Sequence, residues 1–388
     1  MSEDPARAVA DRAAVAATAW LAELDGGQRA LAHWPAPGAD PETEAERLHW
    51  YYTPTDHGGL TLGAQRPAQQ RRALQLVAAG LSTAGFVTVS TVIGLENVLD
   101  HAEGFTADFG RERGRDPGLY YLRVFGEPGG AEPWGWRFGG HHVSLNNLVV
   151  DGALRAMTPC FLGADPATSS LLGGARLRPL GAVEDLAREL VRSLPPALAA
   201  RAVLLDRAPS DIVGGNRSRI THGDEMIPLP DVWRGQFTER RLYDGIRATF
   251  AAAEAATGFD ADDHRRLALT ADPQGVAGAE LDAGQRELLA ALLDTYLGRV
   301  PDGLVDAPDL DAVHIAWAGP TEPGAPHYYR LQAPRAVLSH STSSCASSGS
   351  SSTRSRRRTS PTRRPARRRR RAAPGRASVG SVPPQPRS

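Results

Sequence analysis

Residues 134–147 read Trp-Gly-Trp-Arg-Phe-Gly-Gly-His-His-Val-Ser-Leu-Asn-Asn. Two adjacent imidazoles, His141 and His142, and the amide of Asn146 fall in an otherwise core-like run. Read as a strand, successive side chains alternate between faces. His142, Ser144 and Asn146 then share one face, and His141, Val143 and Leu145 the other. A polar face inside a core must find partners or line a cavity. Upstream, Val89, Val92, Ile93 and Leu99 recur at helical spacing and place Glu96 on the apolar stripe. Imidazole and carboxylate together suit a divalent transition metal such as Zn, Fe, Ni or Mn. They equally suit metal-free acid–base work. His142 and Glu96 are the candidate metal ligands, and His142, Glu96 and Asn146 the candidate catalytic set. Adjacent strand residues point to opposite faces, so only one of the two histidines would reach a shared ion. The competing reading is structural. His142 would be hydrogen-bonded within a packed sheet, and Glu96 would pair with a buried arginine such as Arg115, Arg137 or Arg330.

Trp136, Tyr328 and Arg330 are candidate substrate-binding residues. On a strand, Tyr328 and Arg330 share a face that could hold a carboxylate or phosphate. The tryptophans Trp134, Trp136 and Trp317 serve equally as core. Cys160, between Pro159 and Phe161, looks buried and has no base paired with it. Gly173-Gly174 and Gly214-Gly215 lack the strand–loop–helix setting of a phosphate loop, and no Gly-x-Ser-x-Gly elbow occurs.

The elements that must position these groups follow from periodicity. Residues 6–34 carry an apolar helical stripe, and 35–46 form a Pro/Gly/Glu linker. Pro67 opens a helix bearing Leu74, Val77 and Leu81. The middle is strand-rich: 119–125, 134–138, 141–150 and 154–161 are short runs broken by turn residues, with Asp151-Gly152 a hairpin signal. Helices are expected at 182–194 and 239–256, with a short strand at 202–205. Asp282 with Gln285 resembles a capping box opening a helix that Gly298 and Pro301 close. Strands are expected again at 313–317 and 328–332. The spacing predicts an α+β fold, an antiparallel sheet holding 134–161 and 313–332 and flanked by helices. The domains are read as 1–46 (N-terminal helix and linker), 47–338 (main domain) and 339–388 (disordered Arg/Ser/Pro-rich tail).

The formal net charge is zero, 44 basic against 44 acidic residues. That balance hides an asymmetry. No Asp or Glu follows Glu322, whereas arginine runs fill 356–371. The body is therefore acidic and gives no support to nucleic-acid binding by the folded part. No apolar run reaches transmembrane length, and the acidic N-terminus lacks the pattern of a signal peptide. Two distant cysteines, Cys160 and Cys345, argue for a reducing, cytoplasmic setting without a disulfide framework.

Several of these motifs, in this order, resemble the domain-of-unknown-function family 3500. They are Tyr51-Tyr52-x-Pro54 with Gly59-Leu60, Gln70-Arg71, Leu95-Glu96-x-x-Leu99, Arg115-Asp116-Pro117 with Tyr120, and Phe125-Gly126-x-Pro128. Trp134-Gly-Trp136 through Gly140-His141-His142 to Asn146 follows, then Pro159-x-Phe161-x-Gly163-Ala164-x-Pro166, Trp317-Ala-Gly319 and Tyr328-Tyr329-Arg330. The match covers roughly 47–335 and implies no particular reaction. The resemblance also implies that an acidic, Asn-containing strand and a His-x-His motif should follow the Tyr-Tyr-Arg strand. Neither is present, and the composition changes at the same place. A shifted reading frame near Ala336 to Ser339 accounts for both. Two functions stay open: a small-molecule enzyme, a metal-assisted hydrolase or lyase with a His/Asn/Glu cleft, or a non-catalytic small-molecule binding protein using the same cleft. Translating the other two frames beyond the Arg335 codon tests the frame reading. An open frame encoding an acidic strand and His-x-His is expected. Two closed frames would mean that the basic tail is native.

Overall fold

The computed structural model describes residues 4–235, 239–334 and 336–342. The first half comprises α1 (Pro5–Ala22), α2 (Gly26–Ala32), β1 (His33–Trp34), α3 (Pro41–Leu48), β2 (Leu60–Thr61), α4 (Pro67–Ala79) and α5 (Thr83–Ala102). Strands β3 (Tyr120–Phe125), β4 (Trp134–Gly140), β5 (Val143–Val150), β6 (Ala153–Ala156) and β7 (Cys160–Leu162) follow, then a small ribbon, β8 (Ser169–Ser170) with β9 (Arg176–Leu177). The second half comprises α6 (Gly181–Ser193), α7 (Pro196–Ala202), β10 (Val203–Leu205), α8 (Arg240–Thr257), α9 (Ala261–Leu267), β11 (Val276–Ala277), α10 (Ala283–Leu297), β12 (His314–Ala318), β13 (His327–Ala333) and β14 (Ala336–Thr342).

The fold is α+β, with mixed but mainly antiparallel sheets. The strands expected to share one sheet belong to two. One runs β1-β3-β4-β5-β6, with β2 added on β3 and β7 on β5. The other runs β10-β12-β13-β14, with β11 on β12. The parallel pairs are β1–β3 and β10–β12. Each sheet has its own core. Trp134, Trp136 and Phe138 of β4 enter the first, against α1, α4 and α5. Ile315, Trp317, Tyr329 and Leu331 enter the second, against α6 and α10. No helix among the described residues is long and apolar enough to cross a membrane.

Three segmental expectations change. The helix read over 6–34 is two helices, because Asp25 forms a capping box with Gln28 and starts α2 afresh. The N-terminal helix is no appendage: Val9, Ala13, Ala17 and Trp20 are buried in the first core. Residues 339–342, placed in the tail, complete β14 beside β13. The rest of the expected tail, 343–388 with Cys345, lies outside the described residues.

The opposite face of β3 and β4 carries an unusual pair. Arg123 and Arg137 stand directly across from each other in the ladder. Like charges in that position repel. Glu46 of α3, itself buried, resolves the conflict: its Oε1 accepts from Arg123 at 2.5 Å and from Arg137 at 2.7 Å. Arg234 completes the cluster, 2.6 Å from Oε2. Arg137 also donates to the carbonyls of Glu46, His49 and His57. Burial alone would raise the Glu46 carboxyl, but hydrogen bonding from Arg234 and the charge of Arg137 hold it below its ordinary value. Removing that carboxylate leaves buried guanidinium groups uncompensated. Glu46→Gln should therefore cost about 3–5 kcal/mol in urea-induced unfolding. A variant as stable as the parent would refute this account of the cluster.

Candidate functional site

Gly140 pairs with Val143, so His141 and His142 form the two-residue connection between β4 and β5. His142 has φ +45°, a left-handed conformation in which His is among the better tolerated non-glycine residues. Three backbone contacts fix the turn. The His142 N–H donates to the Tyr52 carbonyl at 2.8 Å. The His142 carbonyl accepts from the Gly163 N–H at 2.7 Å. The Tyr120 hydroxyl donates to the His141 carbonyl.

Because the chain turns here, strand alternation does not extend to His142. The two rings lie together, centroids 4.2 Å apart. The imidazole that meets Glu96 is His141, not His142: Nδ1 is 2.5 Å from Oε1. Glu96 is only 3% exposed, facing inward from α5 with Val92, Leu95 and Leu99. The alternative of a Glu96–arginine pair is not realised. Arg115 forms a two-pronged pair with Glu103, Arg137 binds Glu46, and Arg330 donates to the carbonyls of Leu267 and Ala268 and to Gln274.

The histidine turn borders a cleft of 1460 Å³. His141, His142, Arg115 and Asp165 line it, with an aromatic wall of Trp50, Tyr52 and Phe161. Tyr52 stacks on Phe161 at 4.7 Å, and its hydroxyl donates to Asp211 at 3.0 Å. His142 Nδ1 and Asp165 Oδ1 are buried and have no hydrogen-bond partner. Glu96 stands behind His141 rather than on the wall.

The other sequence candidates fall elsewhere. Asn146 pairs across from Arg137 on β4 and does not line the cleft. Trp136 packs in the first core. Tyr328 is buried in a smaller cluster with Leu205 and Phe259, and Arg330 is 1% exposed among backbone carbonyls. The residues missed were Asp165, Arg115 and the aromatic wall. Tyr51-Tyr52 and Pro159-x-Phe161 carried a signal, but nothing local says that they meet His142. Among the described residues, no group of three or more His, Cys, Asp or Glu side chains is arranged to hold a metal ion. The pairing of His142 and Glu96 as ligands meets a direct obstacle: His141 takes the Glu96 carboxylate.

The model of the family described as protein of unknown function (DUF3500) matches residues 6–354. The chain belongs to this family. No curated protein and no solved structure matches it. In this DUF3500 protein, the chemistry must therefore be read from the site itself.

Burial dominates the site's proton equilibria. It raises the Glu96 carboxyl to about 7, with the Arg115 charge opposing. It raises Asp165 to about 6, again against Arg115. It lowers His141 to about 3, and pushes His142 well below its ordinary value. All four shifts favour neutral forms. Stability follows with opposite signs. The folded state binds the Glu96 proton more tightly than the unfolded chain, so that contribution is complete below the unfolded value of 4.5 and is lost as pH rises through about 7. The histidine contribution is present above 6.5 and lost on acidification toward 3. Relative to Glu96→Gln, the parent should lose up to roughly 3 kcal/mol between pH 4.5 and 7.5, at about 1.4 kcal/mol per pKa unit. Unfolding of both proteins across that range checks this. A pH-independent difference would contradict the burial account.

Proposed function

We propose that this protein is a small-molecule enzyme, a hydrolase or lyase, whose reaction turns on proton transfer at the His142/Asp165 wall. The observation that carries the reading is the pair of buried, unpartnered polar atoms, His142 Nδ1 and Asp165 Oδ1, beside an aromatic wall. Buried polar groups without partners are costly, and where their residues line a cleft a ligand or water can complete them. Pockets of this kind take small organic molecules, with the apolar wall binding and the few polar groups orienting.

The roles follow from the protonation states. Asp165, poised near pH 6, accepts a proton from the substrate or from an attacking water. Neutral His142 offers an N–H to the oxygen on which negative charge develops, which an imidazole can do without being protonated. Glu96 is a positioning residue: it holds the His141 ring, against which His142 packs. A metal-assisted version would need ligands beyond the His141–Glu96 pair. The second reading, a binding protein, rests on the aromatic wall alone. It leaves the raised carboxyls of Asp165 and Glu96 without a task.

The test is turnover of a panel of esters, lactones and hydroxy acids by the full chain, followed by mass spectrometry. Asp165→Asn and His142→Asn should each lower kcat/KM by about 10²–10⁴, the usual range for a lost acid–base group. Asparagine also tolerates the backbone conformation at position 142. The parent's activity should rise with pH through about 6, a limb that Asp165→Asn abolishes. Glu96→Gln should lower kcat with little change in KM. Compounds that bind saturably and are never altered would favour the binding protein. A fully active Asp165→Asn would end the acid–base reading.

A further inference from the structure

We propose that Arg299 anchors an oxyanion, a carboxylate or phosphate, on the molecule that the cleft takes, while an apolar or aromatic part lies along Trp50, Tyr52 and Phe161. This rests on the cleft being a small-molecule site and adds the class of molecule.

The cationic groups of the cleft wall are not equivalent. Arg115 is committed to Glu103, Arg178 to Glu184 and Asp185, and Arg217 to Asp224. Among the described residues, Arg299 forms no ion pair. Arg155 is also unpaired, but it is exposed on β6. Arg299 is half-buried and held in place. Its guanidinium carbon lies 4.4 Å from the centre of the Tyr296 ring, and Nε donates to the Thr295 carbonyl at 3.2 Å. Its own backbone carbonyl accepts from the Ser82 N–H at 3.0 Å. Capping the end of α10 explains Nε. It does not explain a guanidinium whose two terminal nitrogens form no hydrogen bond among the described residues.

The charge is felt where a ligand would sit. Arg299 acts on the Cys160 thiol, on Tyr296 and on His340, all of which line the cleft. Cys160 and Phe161 are neighbours on β7, so the arginine and the aromatic wall border the same stretch. The register gives the scale. Cys160 stands opposite Leu145, while the His142 carbonyl meets Gly163 just beyond the end of β7. Three strand residues span roughly 10 Å. The Cys160 end of β7, where the Arg299 charge is felt, thus lies roughly 10 Å along the strand from the histidine turn, a length that a phenylpropanoid-sized molecule covers. Burial raises Asp165 and Asp211 only to about 6, so their charge opposes an anion above that pH and the anchor should bind its oxyanion more tightly at pH 5 than at pH 7. The surrounding body is acidic, which makes a local cationic anchor the more selective.

Calorimetric titration of the full chain at low ionic strength tests this with 3-phenylpropionate, its uncharged amide, phenyl phosphate and inorganic phosphate. The acid should bind at least tenfold tighter than the amide. Arg299→Gln should erase that ratio and leave amide binding unchanged. Added salt should weaken the acid but not the amide in the parent protein, a readout that needs no variant. Phenyl phosphate outbinding the propionate would support the anchor and assign a phosphate ligand; the reverse order would support it and assign a carboxylate. Equal binding of acid and amide, or no binding of either, overturns the anchor. So does a ratio that survives Arg299→Gln. Inorganic phosphate matching phenyl phosphate overturns the aromatic half. None of these results bears on the pH limb of Asp165, so the proton-transfer reading stands or falls separately.

Discussion

Two guanidinium groups facing each other across a β-ladder set the terms for the first half of this molecule. Arg123 and Arg137 cannot share that position without an anion between them, and Glu46 is that anion. Its arrival fixes more than charge. Arg137 gathers the carbonyls of His49 and His57, so the segment that follows α3 is drawn down onto the sheet. That segment includes Tyr52, whose carbonyl holds the backbone of His142 and whose ring forms the aromatic wall. Arg234 binds the same carboxylate from the second half of the chain. A single buried carboxylate thus links sheet, wall and histidine turn.

Much of the fold was legible because periodicity and turn chemistry are local. The Asp282 capping box, the Asp151-Gly152 hairpin and the helical placing of Glu96 all read correctly. The sequence reading paired Glu96 with His142. What misled was the reach of alternation. Gly139-Gly140 ends β4, and the next two residues are a turn, so face assignments counted through them fail. His141 rather than His142 therefore meets the carboxylate. The division into two sheets was hidden for a different reason. Strand patterns reveal which face is buried, not which partner strand is chosen, and that choice depends on helices distant in sequence. Asp165 was invisible for a similar cause: a lone acid before proline looks like a turn residue until the fold sets it beside Arg115.

The site's electrostatics follow from dryness more than from pairing. Glu96 and His141 are close enough to form an ion pair, yet burial works against the charged form of each. Desolvation in such a setting outweighs attraction unless further hydrogen bonds support the charges. The contrast with Glu46 is instructive. There, three arginines supply those bonds and the carboxyl is driven the other way. One chain thus holds two buried carboxyls with opposite protonation tendencies, Glu46 kept charged by its arginines and Glu96 kept neutral by burial.

The N-terminus of α5 is stapled to the end of α10: Ser82 donates through N–H to Arg299 and through Oγ to Gly298. Trp50, Thr53 and Tyr52 similarly bond across to Arg217, Val232 and Asp211. These bonds tie segments that border the cleft to their neighbours and would have to break for those segments to move apart. The walls therefore stand ready before any guest arrives. Admission of a ligand to the proposed site would then call for side-chain rearrangement, on the nanosecond scale of rotamer exchange, without breaking these bonds. A ligand of the proposed site would then meet little ordering cost, and its selection would rest on the fit of a rigid mould.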